Sequence, residues 1–336
     1  MKLLSISIAA YNVEKYLDKT LTSLCDQRYV DDLEILVVDD GSKDGTHFIA
    51  EKYQKLHPNS VQYVYKENGG HGSTVNKGME TATGKYFRVI DGDDSVDPDA
   101  FARYIELLRN QDNDMFVSNY WRVDAEGNRY PNNDAVFDRV QEGKSRTFDE
   151  AIDTRFFGLD TITVKTDLLK KSNAHITEHC YYVDVEFIAW AIYVSNSYIY
   201  YNNKNYLYLC VNTSQNSVNK DNMLKNVHMQ RTVDLHLCEL FKRFRMEGSF
   251  NIGKQTVLLE RIALSVGATY RTYFLYDTTK EAKEKIKKLD GEIDRVSSDI
   301  YKLLNNDKFI RSIRTFGYAG VSIIRAAYLL YLNRKK

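Results

Sequence analysis

The chain has 336 residues, 43% of them hydrophobic, enough for one large or two modest cores. Its 46 basic and 46 acidic residues cancel to a net charge of zero, and no nucleic-acid partner is expected. The four cysteines, Cys25, Cys180, Cys210 and Cys238, show no paired spacing, which argues against zinc and against a disulfide framework and fits a cytoplasmic protein.

Residues 3–9, Leu-Leu-Ser-Ile-Ser-Ile-Ala, predict a buried strand. Ser5 and Ser7 interrupt the run and Tyr11-Asn12 ends it, so a secretory leader is not expected. Val13 to Asp26 reads as a helix with Tyr16, Leu17, Leu21 and Leu24 on one face. Leu33 to Val38 is a second buried strand, followed by Asp39-Asp40-Gly41-Ser42. A helix from about residue 44 to 57, a strand at Val61 to Tyr65, a helix ending near Met79 and a strand at Lys85 to Ile90 complete the pattern. This alternation predicts an α/β fold with right-handed βαβ units and a mainly parallel sheet flanked by helices. Ligands of such sheets bind beyond the carboxyl ends of the strands, where Tyr11, Asp39, Asp40 and residues 91–94 all fall.

Val89-Ile90-Asp91-Gly92-Asp93-Asp94 places three carboxylates within four positions at a strand end. They repel one another unless a cation offsets their charge. Oxygen ligands without Cys or His suit Mg²⁺ or Mn²⁺, which share their shells with phosphates. The alternative is an Asp-rich turn leading into the next helix.

The order and spacing of several segments carry a resemblance. They are residues 7–17 (Ser-Ile-Ala-Ala-Tyr-Asn-Val-Glu-Lys-Tyr-Leu), residues 37–46 (Val-Val-Asp-Asp-Gly-Ser-Lys-Asp-Gly-Thr), Asn68-Gly69-Gly70, Asn76-Lys77-Gly78, residues 82–86 and Asp91-Gly92-Asp93-Asp94. Together they resemble the family-2 glycosyltransferases of GT-A fold over roughly residues 3–210. The resemblance implies a nucleotide-sugar donor, most often a UDP-sugar, and a Mg²⁺ or Mn²⁺ cofactor. It implies a nucleotide site at Ala9, Tyr11, Asp40 and Asp91, with Tyr11 stacking on the base and Asp40 accepting from the uracil N–H. Asp91 and Asp93 would hold the metal. Asp94 would orient Asp93 or start the helix at Pro98. Many relatives carry Arg immediately before the Asn that is Asn76 here, whereas this chain has Val75. His71 and Lys77 are candidate substitutes, with His71 expected in a solvated loop.

The resemblance also assigns a general base. Asp184 opens a helix running to about Tyr193, and Phe187 follows three residues later. Inverting transfer needs one carboxylate aimed at the acceptor oxygen. Glu186 is a rival, but two residues on along a helix it faces another side.

Beyond about residue 221 strand signals fade and helical patterns dominate. Lys308 to Lys336 contains seven basic residues and no acid, leaving the rest of the chain at −7. Phe316 to Leu332 is apolar apart from Ser322 and Arg325, and Arg325 near its middle would be costly in a bilayer. This tail predicts a helix lying on an anionic membrane surface or packing on protein, its own domain or a second subunit. The expected organisation is a GT-A catalytic domain at 1–215 and a helical region at 216–336. The expected activity is inverting transfer of a hexose or N-acetylhexosamine to a hydroxyl of a cell-surface glycan or lipid-linked precursor. A nucleotidyltransferase and a non-catalytic nucleotide-sugar or glycan binder are the alternatives.

Overall fold

The computed structural model describes residues 1–132, 140–150, 157–210, 219–247, 250–277, 281–316 and 325. They form two compact units, Met1–Asn212 and Thr213–Lys336.

The first unit opens with β1 (Leu4–Ala10), α1 (Leu17–Leu24), β2 (Leu33–Asp39), α2 (Thr46–Leu56), β3 (Val61–Tyr65), α3 (His71–Thr81) and β4 (Tyr86–Asp91). It continues with β5 (Ser95–Val96), α4 (Pro98–Asn110), β6 (Met115–Val123), β7 (Arg129–Pro131), β8 (Ser145–Arg146), β9 (Ile162–Lys165), α5 (Thr166–Lys171), α6 (Asp184–Val194) and β10 (Tyr198–Leu209). The ten strands make one sheet of order β3-β2-β1-β4-β9-β6-β10-β5, with β7 beside β6 and β8 beside β10. Strands β1 to β4 pair in parallel, with Leu4 opposite Leu33 and Tyr86. Leu4, Ile6 and Ile8 of β1 are fully buried, and so are Ile35, Leu36 and Val37 of β2. Such runs suit strands covered on both faces.

Beyond β4 the direction changes. Strand β9 pairs antiparallel with both β4 and β6. This junction is built around Arg88 of β4, which is fully buried. Its guanidinium donates to Asn205 Oδ1 at 2.8 Å and to the Asp160 carbonyl at 2.7 Å. The rings of Tyr104 and Tyr206 lie 5.4 and 5.6 Å away. Burial lowers the Arg88 pKa, and these acceptors and aromatic faces supply what water would.

Of the two sequence expectations for Asp94, the one that has it start the helix at Pro98 needs correction. Helix α4 is capped by Asp97, whose carboxylate accepts from Ala100 N at 2.9 Å, with Pro98 in the first turn. Asp94 is buried and accepts from the Tyr206 hydroxyl and from Leu209 N, the latter at 2.6 Å.

The second unit contains α7 (Lys220–Met246), α8 (Ile252–Tyr276), α9 (Ala282–Val296), α10 (Ser298–Leu303) and α11 (Lys308–Thr315). Leu258, Ile262 and Val266 of α8 are fully buried, and Leu264 faces solvent. Arg314 of α11 donates to Asp290 at 2.6 Å and stacks 3.8 Å from the Tyr301 ring centroid. Arg325 donates to the Asp277 carbonyl at 2.8 Å. Two of the tail's seven basic residues are therefore turned into the helical unit.

Asp234 of α7 is fully buried and accepts from Ser265 Oγ and Thr269 Oγ1, each at 2.6 Å. Burial pushes its pKa up to about 7, against the two hydroxyls, which lower it. Between about pH 4, where the unfolded carboxyl ionises, and about pH 7, only the folded chain holds this proton. Stability attributable to Asp234 is thus fully present below that window and falls as pH rises through it. Thermal melts across the window should show a shallower decline for Asp234→Asn than for the parent chain. Identical slopes would remove Asp234 as the cause.

Candidate active site

Three strand ends meet at the carboxyl edge of the sheet. After β1, Tyr11 is 51% exposed and Asn12 adopts φ 54°. Asn12 Oδ1 accepts from Lys43 N at 2.8 Å and Asn12 N donates to Ser42 Oγ at 3.0 Å, so the turns after β1 and β2 are tied together.

After β2, the two aspartates diverge. Asp39 accepts from Ser42 N and the Tyr63 hydroxyl, both at 2.8 Å, and serves the local turn. Asp40 is buried and faces the Gly69-Gly70 loop. Its Oδ1 accepts from Lys66 Nζ at 2.7 Å, Gly69 N at 2.8 Å and Ser73 Oγ at 3.2 Å. Its Oδ2 accepts only from Gly70 N, at 2.8 Å, among the described residues.

After β4, Gly92 N donates to the Ala9 carbonyl at 3.0 Å, and a Cβ at Gly92 would lie 2.9 Å from that oxygen. Glycine is required for this turn to lie against β1. Asp91, Asp93 and Asp94 have oxygens within 4.8 Å of one another. Asp93 is exposed, but its carboxyl loses enough hydration, and lies close enough to Asp91, for its pKa to rise to about 6. Burial, then the charges of Asp91 and Asp93, raise Asp94 well above the carboxylate range. The all-oxygen set fits a hard divalent cation. Because Asp94 is engaged by Tyr206 and Leu209, Asp91 and Asp93 are the carboxylates left to face one.

His71 is not in a solvated loop. It is the first residue of α3, and its Nε2 lies 2.9 Å from Asp91 Oδ1. Burial opposes its charge, but the hydrogen bond to Asp91 and the charges of Asp91, Asp184 and Asp40 prevail and push its pKa up to about 9. Val75 is buried in α3, and Lys77 pairs outward with Glu80 at 2.9 Å. His71 is thus the basic group beside Asp91, as Lys66 is beside Asp40. Ala9, Tyr11, Asp40 and His71 line one cavity of about 450 Å³, closed on its other side by His179, Cys180 and Tyr181.

That far wall is fixed from below. Asn76 accepts from Ile176 N and donates to the Ile176 carbonyl, both at 2.8 Å. Glu186, fully buried, accepts from Thr177 N at 2.6 Å and Thr177 Oγ1 at 2.8 Å. A Cβ at Gly72 would lie 2.1 Å from the Thr177 carbonyl oxygen, so only glycine admits the wall. Glu186 is thereby committed to Thr177. Asp184, at the start of α6, is exposed and near enough to raise the pKa of His71. Asp160, which nothing in its sequence context marks, lies in the same neighbourhood: burial first, then the charges of Asp91 and Asp184, raise it to about 6.

The family description Glycosyl transferase family 2 matches residues 5–172, half of the chain. The chain belongs to this family. EpsH of Bacillus subtilis (strain 168), whose own glycosyltransferase assignment is provisional, is 37% identical over 116 residues, covering 34% of this chain and 33% of EpsH. The chain thus spans about a third of the length of that relative. Among solved structures, S. aureus TarS 1–349 in complex with UDP-GlcNAc aligns over 98% of this chain and 92% of that one, with TM-score 0.68 and 18% identity. The mannosyltransferase PcManGT from Pyrobaculum calidifontis, in complex with GDP-Man and Mn²⁺, aligns over 98% and 87%, with TM-score 0.54 and 15% identity. These likenesses establish the GT-A-like fold.

The two acids of α6 should separate in stability measurements. Glu186→Ala leaves the Thr177 amide without its acceptor and should cost about 1–3 kcal/mol in chemical denaturation, whereas Asp184→Asn, at an exposed position, should cost little. Equal losses would contradict the division of roles.

Proposed function

We propose that the chain transfers a hexose or N-acetylhexosamine from a UDP-sugar to a hydroxyl of a cell-surface glycan or lipid-linked precursor, with inversion at the anomeric carbon. The observation that carries this reading is the convergence of Ala9, Tyr11, Asp40 and His71 on one cavity at the strand ends, with Asp91 hydrogen-bonded to His71 and Asp184 close enough to raise the His71 pKa. The UDP-GlcNAc complex of TarS supports a uridine donor. In this reading Tyr11 stacks on the uracil, Ala9 forms part of the nucleotide wall, and Asp40 Oδ2 accepts from the ring N–H. Asp91 and Asp93 would hold Mg²⁺ or Mn²⁺. When bound, that ion supplies positive charge against the departing diphosphate. His71 holds the Asp91 carboxylate in place. Asp184 takes the proton of the acceptor hydroxyl as its oxygen attacks the anomeric carbon and the diphosphate leaves from the opposite side.

Release of UDP from UDP-GlcNAc with Mn²⁺ tests this directly. Asp184→Asn should lower kcat by about 10²–10⁴ with little change in UDP affinity. Asp93→Asn should abolish release and bind UDP equally with and without Mn²⁺. Near-parental turnover by the first variant would remove the base. Metal-independent UDP binding by the parent chain would remove the metal.

We also propose that the basic tail docks on the cytoplasmic face of an anionic membrane, where a lipid-linked acceptor would lie. No helix among the described residues is long and apolar enough to cross a membrane. Lys308 and Arg311 are exposed. Residues 317–324 and 326–336, which carry most of the apolar stretch, lie outside the described residues. Each basic group near such a surface contributes about 1 kcal/mol. Flotation with anionic vesicles at low salt should weaken for the double variant Lys308→Glu, Arg311→Glu. Unchanged flotation, or none by the parent chain, would count against membrane docking.

A further inference from the structure

A second groove in the first unit, of about 630 Å³, shares no lining residue with the donor cavity. It begins at Asp97, three residues after Asp94, and follows α4 through Arg103 and Leu107. Its opposite side comes from Trp121 of β6 and from Tyr201 to Lys204 of β10. That stretch of β10 is irregular: its register against β6 shifts between Tyr200 and Lys204 and again between Lys204 and Tyr206. Such bulges redirect side chains, and here they turn Asn202 and Asn203 into the groove.

The groups in it are unusually uncommitted. Asn203 Nδ2 donates to the Ala100 carbonyl at 3.0 Å, but its Oδ1 is buried without a partner. Asn202 Oδ1 accepts from Asn119 Nδ2 at 2.8 Å, leaving its own amide nitrogen open. Lys204 Nζ stands 4.3 Å from the Trp121 ring centroid and, like Arg103, has no carboxylate partner among the described residues. An indole and a phenol beside two amides, two cations and the carboxylates of Asp97 and Glu142 form a surface with flat apolar area and directional polar groups together. A pyranose presents that same combination, C–H faces against aromatic rings and hydroxyls toward amides. An acyl chain would leave the amides unpaired.

We propose that this groove binds a carbohydrate chain, as the part of a glycan acceptor remote from its reacting hydroxyl. The proposal rests on the glycosyltransferase reading and extends it to a second subsite. It assigns Trp121 to stacking, Asn202 to hydroxyl groups, and Arg103 to the outer edge.

An array of defined oligosaccharides of hexoses, N-acetylhexosamines and uronic acids, probed with the full chain in the absence of donor, tests it. At least one glycan should bind. Trp121→Ala should weaken that binding about tenfold or more, and the surface double variant Arg103→Glu, Asn202→Ala should weaken it as well. Should Trp121→Ala fail to fold, the surface variant, checked by its melting temperature, decides. No binding by the parent chain, or undiminished binding by the folded surface variant, would overturn the groove. Glycan binding with these losses but without UDP release would support the groove and overturn the donor reading alone. UDP release without glycan binding would do the reverse.

Discussion

Mutual repulsion among the carboxylates at the carboxyl edge of the sheet is the constraint around which this structure is organised. Each is answered differently. Asp40 is surrounded by an ammonium, two backbone amides and a hydroxyl. Asp94 is held by a phenol and an amide contributed by β10 and the residue that ends it. Asp91 faces an imidazole. Asp93 has none of these partners, and loss of hydration, then the charge of Asp91, raises its pKa. The demand for positive charge is thus concentrated on the outer side of one turn rather than spread along the edge.

The two halves of the sheet divide the work. The parallel half supplies strand ends and turns, which place polar groups at one edge. The antiparallel insertion of β9 and the long β10 bring later parts of the chain underneath them. Arg88 joins the halves, since its acceptors come from Asn205 and Asp160. A buried guanidinium is tolerable only where such acceptors meet it, so β4, β10 and the turn before β9 are fixed together.

The parallel half was legible in the sequence because each strand is a continuous apolar run and each helix fits between two of them. Tyr11, Asp40 and Asp91 could be placed at strand ends on that basis alone. The geometry of α6 was legible too: a two-residue spacing separates Asp184 from Glu186, and the structure buries one while exposing the other. The later strands were not legible. In β10, Tyr198–Leu209, aromatic and asparagine residues alternate irregularly, because the strand carries a bulge. Nor could local pattern reveal that Asp94 answers to Tyr206, or that Asn76 bonds a peptide group a hundred residues on. His71 was misplaced for the same reason: its partner, Asp91, lies on another strand.

The hydrogen bonds from Asn76 to Ile176 and from Thr177 to Glu186 have a consequence for any substitution made there. They join α3, the wall at 179–181 and the helix that begins with Asp184 into one frame. The wall and the start of α6 therefore share their anchors, and a substitution at Asn76 or Glu186 reaches both.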